Sequence, residues 1–243
     1  DLSPTKWADD ERAQVEALEQ QPPWPRVSRV VEGKSGLVAA TMSPIAIRAG
    51  IEALQQGGTA ADAAATVALT QVTTALGSYV SYAGTVQLLY YDAGTARVYS
   101  MSALWGPYQE EMDPMSIPTR DNAEAEQGRK TWVPGFMAGI EAMHRRFGAL
   151  PLADLFEPAI WYSENGLIVS PLLAGYFASR QKYLSRTPEG KAFLRQAGGE
   201  LPVAGNRFVQ LEAARTLRAV AQNGARVMYT GAWGRDFVAA VQR

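Results

Sequence analysis

The stretch Gly57-Gly58-Thr59-Ala60-Ala61-Asp62-Ala63-Ala64 carries the signals of one helix ending and another beginning. Two glycines suit the left-handed backbone that commonly follows a helix C-terminus. Thr59 can cap the next helix, and Asp62, three residues on, lies near the positive end of the helix dipole. The repeated alanines make this second helix thin and almost uncharged, so we expect it in the interior, packed against a sheet.

The first residues of the chain predict an arm that precedes the domain. A polar pattern over residues 8–20 indicates a helix, and Pro22-Pro23-Trp24-Pro25 then requires an extended segment. We therefore expect an N-terminal helical arm and extended lead-in over residues 1–35. Residues 36–243 show no repeat and no shift in composition, so we expect them to form one domain.

Between the arm and the glycine pair, the pattern predicts two short strands and a helix. The strands are expected at Val27–Val31 and Leu37–Met42, where apolar residues cluster. Ser43 can cap the helix that follows, and Pro44 suits its first position because proline fixes a helical φ.

Beyond the alanine-rich helix, the sequence predicts a hairpin and then a helical half. Thr85–Tyr91 and Ala96–Ser100 flank Asp92-Ala93-Gly94-Thr95, a pattern typical of a β-hairpin with a glycine turn. Gln109–Arg129 is polar and acidic and is expected on the surface. Val133-Pro134-Gly135 then introduces helices to the end of the chain, with predicted breaks near Gly148, Gly166, Gly198 and Gly231. Together these elements predict a layered α+β fold in which helices cover a mainly antiparallel sheet.

Composition excludes several classes of function. The 243 residues, 47% of them hydrophobic, can bury a sizeable core, and 23 Lys plus Arg against 24 Asp plus Glu form no charged run, so no nucleic acid partner is expected. The absence of cysteine excludes disulfides and thiolate nucleophiles. His144 is the single histidine, so a Ser-His-Asp triad or a multi-histidine zinc site would need that residue or another chain.

Residues 63–91 contain no charged side chain, which raises the question of a membrane span. The many Thr, Ser and Gln side chains in this stretch would lack partners in hydrocarbon, and Gly77 and Gly84 interrupt it. We therefore expect a buried helix, loop and strand, and no membrane span. The chain starts at Asp1 with no apolar signal stretch before it, which agrees with a processed N-terminus and a periplasmic or secreted protein; a cytoplasmic location stays open.

Several segments, taken in order, resemble the γ-glutamyltranspeptidase family. The resemblance rests on Gly36-Leu37-Val38-Ala39-Ala40, the Gly57–Ala64 stretch, Val133-Pro134-Gly135, Pro158-Ala159-Ile160 and Tyr229-Thr230-Gly231. The family usually has Gly-Gly-Asn-Ala-X-Asp-Ala-Ala, with Asn where this chain has Thr59. The resemblance runs from about Gly36 to the end of the chain, and it identifies a large-subunit portion of a divergent member.

The resemblance implies an αββα four-layer sandwich of the N-terminal-nucleophile hydrolase type, completed by a second chain. In the family, autocleavage of a precursor exposes a threonine at the start of a small subunit. That threonine uses its own α-amine as base and forms an acyl-enzyme, which is released to water or to an amine. Asp1 is not such a nucleophile, so we expect no catalytic residue in this chain and a companion small subunit with an N-terminal Thr. The mechanism needs no cofactor and no metal.

One departure from the family concerns the grip on the substrate carboxylate. Typical members carry Arg-Glu-X-Ala-Pro after the second hairpin strand, and the arginine fork binds the α-carboxylate of the glutamyl group. Here the run is Ser102-Ala103-Leu104-Trp105-Gly106-Pro107. Anchoring on Pro107 puts Ala103 at the arginine position, while a shift of one residue puts Leu104 or Ser102 there. None of these side chains binds a carboxylate bidentately.

A second departure concerns the glycine-rich segment before the first hairpin strand. The family usually has Gly-X-Gly-Gly-Gly-X-Phe, whereas this chain has Gly77-Ser78-Tyr79-Val80-Ser81-Tyr82-Ala83-Gly84. The two departures together predict a more aromatic and less cationic acyl pocket. Its predicted substrate-binding residues are Ser102, Ala103, Trp105, Tyr79 and Tyr82. The alternative is that the aromatic residues are only core packing.

Three functional hypotheses follow. The first is an amide hydrolase or acyltransferase whose small-molecule amide substrate has an acyl group other than ordinary γ-glutamyl. The second is a true γ-glutamyl transpeptidase or glutathione hydrolase in which Arg97, Arg120 or Arg129 supplies the missing cation. The third is a non-catalytic homologue with a binding or structural role.

Overall fold

The computed structural model describes residues 1–21, 32–109, 111–117, 128–194 and 201–242, with the side chain of Arg129 left out. The chain divides into two compact units. We call Asp1–Val80 with Phe147–Arg218 the helical unit, and Ser81–Arg146 with Ala219–Arg243 the hairpin unit. The predicted strand at Val27–Val31 and the segment Pro22–Pro25 lie outside the described residues.

The helices and strands follow one another in this order: α1 (Asp9–Glu19), α2 (Pro44–Gln55), α3 (Ala60–Thr74), β1 (Val86–Asp92), β2 (Arg97–Ala103), α4 (Phe136–Phe147), α5 (Leu152–Asn165), β3 (Leu167–Ile168), α6 (Pro171–Leu184), α7 (Pro188–Leu194), β4 (Arg207–Phe208), α8 (Leu211–Asn223), α9 (Arg226–Tyr229) and α10 (Ala232–Gln242). β1 pairs with β2 and β3 pairs with β4, both antiparallel. No helix among the described residues is long and apolar enough to cross a membrane.

The turn from α2 to α3 forms as the glycine pair predicts. Gly57 has φ +86°, the left-handed conformation that a glycine adopts without strain. A Cβ on Gly58 would lie 2.6 Å from the carbonyl oxygen of Ala53, so no side chain fits there. The Thr59 side chain accepts a hydrogen bond from the Asp62 backbone, and the Asp62 carboxylate accepts one from the Thr59 backbone. The predicted cap of α3 is therefore confirmed as a full capping box.

Among the described residues, the alanine-rich helix α3 packs along α2 and α5, and the sheet expected against it stays a prediction. Ala61 and Ala65 are buried, and Gly50 of α2 lies so close to Val67 that a Cβ would meet that side chain at 2.5 Å. Small residues thus let helices approach each other, as they would let a sheet approach. Ala60 and Ala64 are exposed and line an open groove beside residues 35–41.

The predicted strand at Leu37–Met42 is not formed, and this prediction was wrong for the described structure. The segment is irregular, and Leu37 is exposed. A strand exists only when a neighbour supplies ladder hydrogen bonds, and no described strand lies beside this segment. The helix at Ser43-Pro44 is confirmed: the Ser43 hydroxyl accepts from the backbone of Ala46, and Pro44 is the first helical residue.

The polar helix predicted over residues 8–20 is confirmed as α1. Charged side chains form salt bridges that hold it against α2. Arg48 Nε donates to Glu11 of α1 at 2.7 Å, and Arg48 Nη1 donates to Glu52 at 2.8 Å. Burial would raise the pKa of Glu52, but hydrogen bonds from Gln56 and Arg48 lower it overall. Trp7 is buried in the core of the helical unit. The division of the chain at residue 35 stays a prediction.

The hairpin is confirmed, and β2 is longer than its pattern indicated. Val86 pairs with Ala103 at one end of the ladder and Asp92 with Arg97 at the other. In the turn, Asp92 accepts hydrogen bonds from the Gly94 backbone at 3.0 Å and from the Thr95 hydroxyl at 2.7 Å. After the hairpin the chain is mainly helical, with the predicted breaks present at Gly148, Gly166 and Gly231. Gly198 lies outside the described residues.

Candidate substrate site

The two faces of the hairpin differ in what covers them. One face of the hairpin packs against α4 and includes Val86, Met101 and Ala103. The approach is so close that a Cβ added to Gly139 of α4 would collide with this face. On the opposite face Leu89 is 78% exposed and Val98 is 68% exposed. This opposite face also holds Gln87, Tyr91, Ser100 and Ser102, all exposed, and we call these six residues the open face.

The three residues that compete for the family's arginine position differ in orientation. Ala103 is half-buried, and its Cβ would lie 2.7 Å from a Cβ on Gly139, so its methyl group packs against α4. Ser102 precedes it in the strand and is exposed on the open face, because side chains alternate along a strand. Leu104, just beyond β2, is also exposed.

Trp105 and Tyr82 occupy different environments in the hairpin unit. Trp105 is 56% exposed, and the residue after it, Gly106, exchanges two backbone hydrogen bonds with Val133. Trp105 is therefore held on a loop with more than half of its surface exposed to solvent. Tyr82 is half-buried and packs edge-on against Phe136, with 6.2 Å between ring centres. A half-buried ring with this contact fits both the predicted pocket and the core-packing alternative.

Tyr79 belongs to the helical unit, whereas the other four predicted substrate-binding residues belong to the hairpin unit. Its ring stands 6.0 Å from that of Tyr176, and it is 42% exposed. Burial, reinforced by Glu19 and Tyr176, raises the pKa of Tyr79 to about 12. The phenol therefore keeps its proton at neutral pH and can act as a hydrogen-bond donor.

The alternative cations are placed as follows. Arg97 is exposed at the turn end of β2, opposite Asp92. Arg120 and the side chain of Arg129 lie outside the described residues. Across the described ranges, His, Asp and Glu side chains do not gather in groups that could hold a metal ion.

Solved structures show which fold this arrangement belongs to. The chain has the α+β fold of the N-terminal-nucleophile hydrolases, as predicted. It superposes on the γ-glutamyltranspeptidase of Helicobacter pylori with a TM-score of 0.77 and 23% identity, covering 86% of this chain and 60% of that one. For the cephalosporin acylase of Bacillus halodurans the TM-score is 0.72 at 25% identity, covering 90% of this chain and 42% of that one.

Sequence comparison identifies the family. The family model described as Gamma-glutamyltranspeptidase matches residues 46–243, and the chain belongs to this family. It is 30% identical over 236 residues to the acylase ACY 1 proenzyme of Pseudomonas sp. (strain V22). This alignment covers 90% of the present chain and 42% of the proenzyme. The capsule biosynthesis protein CapD proenzyme of Bacillus anthracis is 30% identical over 192 residues, or 79% of this chain and 33% of that protein. The chain thus spans less than half the length of these relatives.

Proposed function

We propose that this chain is the large-subunit part of an amide hydrolase or acyltransferase. The observation that carries the proposal is the match of residues 46–243 to the family, combined with a length of 42% of an acylase proenzyme. The remainder of such a protein would supply a small subunit with an N-terminal Thr. That threonine would attack the amide carbonyl, release the amine and leave an acyl-enzyme for water or an acceptor amine.

The composition of the complete protein tests this proposal. Every polypeptide that copurifies with this chain would be analysed by denaturing intact mass and N-terminal sequencing. We expect a second polypeptide beginning with Thr, because autocleavage requires a working nucleophile. A single uncleaved polypeptide without amidase activity would instead support the non-catalytic homologue.

We place the companion chain against the open face of the hairpin. Leu89 and Val98 expose most of their apolar surface there, and a two-stranded hairpin is only marginally stable by itself. In a four-layer sandwich, the inner face of each sheet packs against the other sheet, and the core lies between them. The exposed apolar side chains of the open face suit packing against a second sheet. The part of the precursor that lies outside this chain would supply that sheet.

We further propose that the acyl group is not ordinary γ-glutamyl. The exposed residues around the family's arginine position are Ser102, Leu104 and Trp105, which offer a hydroxyl and apolar surface but no cation. A carboxylate moved from water to this surface would lose solvation without gaining a charged partner. An acyl group that is neutral or apolar near this point fits these side chains better. Trp105 would supply the apolar contact.

Restoring an arginine tests this assignment. We expect Ser102→Arg or Leu104→Arg to raise kcat/KM for a γ-glutamyl anilide by about 10- to 100-fold, the effect of one charge-assisted pair of hydrogen bonds. The matched control is Ala103→Arg, because Ala103 packs against Gly139 of α4 and an arginine there has no room. That variant should lose thermal stability and gain no activity. Efficient cleavage of the anilide by the unmodified enzyme, or no gain in either variant, would contradict the proposed acyl specificity.

A further inference from the structure

Backbone hydrogen bonds bring two tryptophans of the hairpin unit together. Gly106 N donates to the Val133 carbonyl at 3.1 Å, and Val133 N donates to the Gly106 carbonyl at 3.0 Å, as in an antiparallel ladder. In such a pair, the residues that precede the two partners project to the same side and are diagonal neighbours. Those residues are Trp105 and Trp132. Diagonal positions have Cα atoms about 7–8 Å apart, which is within reach of aromatic side chains.

The two segments stay in contact beyond this pair of hydrogen bonds. A Cβ added to Gly135 would lie 2.4 Å from the carbonyl oxygen of Ala103 and 2.6 Å from that of Leu104. Gly135 is also the residue opposite Leu104 in the register that Gly106 and Val133 set. The Gly135 N–H donates to the Gly84 carbonyl at 3.0 Å, which fastens this segment to the start of the hairpin. The tryptophans therefore stand on a braced backbone.

The side chains that this backbone presents are apolar and open to solvent. Leu104 is 51% exposed, Trp105 is 56% exposed and Trp132 is 41% exposed, and we call these three residues the tryptophan surface. Large apolar side chains that are exposed together mark a binding surface, whereas single ones do not. Leu104 is also one of the residues that compete for the family's arginine position. The tryptophan surface therefore lies where the acyl group is expected.

From these observations we propose that the acyl group carries an aromatic ring, which packs on Trp105 and Trp132. The inference rests on the proposed function and names its class of substrate, an arylacyl amide. Contacts between aromatic rings stabilise more than burial of the same area does, because ring faces and ring edges carry opposite partial charges. An acyl group with a carboxylate at this point would lose solvation without gaining a cation. Trp132 was not predicted from the sequence, since only the fold brings it beside Trp105.

Turnover of two matched amides tests the preference for a ring. The complete matured protein would receive the phenylacetyl and cyclohexylacetyl amides of one aminocoumarin, which differ in aromaticity and little in size. We expect kcat/KM to be about 2- to 10-fold higher for the phenylacetyl amide, mainly through a lower KM. Equal kcat/KM for the two amides would overturn the inference and leave the amidase activity standing.

Variants assign the preference to the tryptophan surface. Trp132→Leu and Trp105→Leu should each remove most of it, because leucine keeps apolar area and loses the ring contact, whereas Trp132→Phe should keep it. The matched control is Tyr183→Leu, which alters an aromatic residue of the helical unit that is 59% exposed. A preference that survives in both tryptophan-to-leucine variants would refute the surface. If neither Trp132 variant matures into two chains, the companion covers this surface and the inference is equally overturned.

A binding measurement separates this inference from the proposed function. Saturation-transfer NMR on the complete protein would compare phenylacetamide with cyclohexylacetamide, and it requires no turnover. We expect phenylacetamide to bind about 2- to 10-fold more tightly, and Trp132→Leu to remove the difference. That result without hydrolysis of any amide would support the aromatic site and contradict the proposed function alone. Equal binding of the two amides would overturn the aromatic site whether or not the protein is an amidase.

Discussion

Replacing Asp62 with alanine is expected to lower the free energy of unfolding by about 3–5 kcal/mol. The side chain is fully buried, and its Oδ2 accepts hydrogen bonds from the backbone of Thr59 at 2.9 Å and of Ala149 at 2.8 Å. The Leu150 backbone is 3.3 Å from the same oxygen. Alanine would leave these donors buried without an acceptor. Thermal unfolding of the purified protein, or its loss into the insoluble fraction, measures the effect.

The matched control is Asp9→Ala. Asp9 is likewise an acidic residue in the first turn of a helix, but its side chain is 92% exposed and pairs with Arg12 on the surface. We expect that substitution to cost no more than about 1 kcal/mol, as for other surface ion pairs. Asp62→Asn should fall between the two, because it keeps one acceptor oxygen. Equal stability of the Asp62→Ala and Asp9→Ala variants would contradict the structural role of Asp62.

The location of Asp62 explains what the Gly57–Ala64 stretch encodes. Its glycines permit the turn, Thr59 caps α3, and Asp62 ties the start of α3 to residues 147–150. Each of these functions is structural. A match to this stretch therefore identifies the fold, and the acyl specificity must be sought in other residues.

Structural features that depend on residues close together in the sequence could be predicted from it. The Ser43 and Thr59 caps, the glycine turn of the hairpin and the break at Gly166 each depend on groups a few residues apart. Strand alternation would also have separated Ser102 from Ala103, had the pattern been extended three residues beyond Ser100. The orientation of these candidates was thus present in the sequence but was missed.

Features that depend on distant partners could not be predicted in this way. Leu37–Met42 has strand propensity, but a strand also needs a neighbour, and propensity does not supply one. Helix α3 has small residues that fit a sheet or another helix equally well.

Placing a charge on the open face should prevent formation of the two-chain protein. We expect Val98→Asp in the full-length precursor to reduce the yield of matured enzyme at least about 10-fold, because a carboxylate buried against the companion would have no partner. Val98 is 68% exposed in this chain, so the substitution disturbs little within the hairpin itself. Denaturing electrophoresis of the purified precursor, together with amidase activity, measures the yield.

The control variant places the same charge in the turn of the same hairpin, outside the six residues of the open face. Ala96 is exposed in the turn and has φ +52°, a conformation that aspartate tolerates better than most residues. Ala96→Asp should therefore mature normally. If Val98→Asp matures as well as Ala96→Asp does, the open face is not where the companion packs. If both fail, the defect lies in the folding of the hairpin, and the assignment of this surface is equally contradicted. Only loss confined to Val98→Asp agrees with a companion chain packed against this sheet.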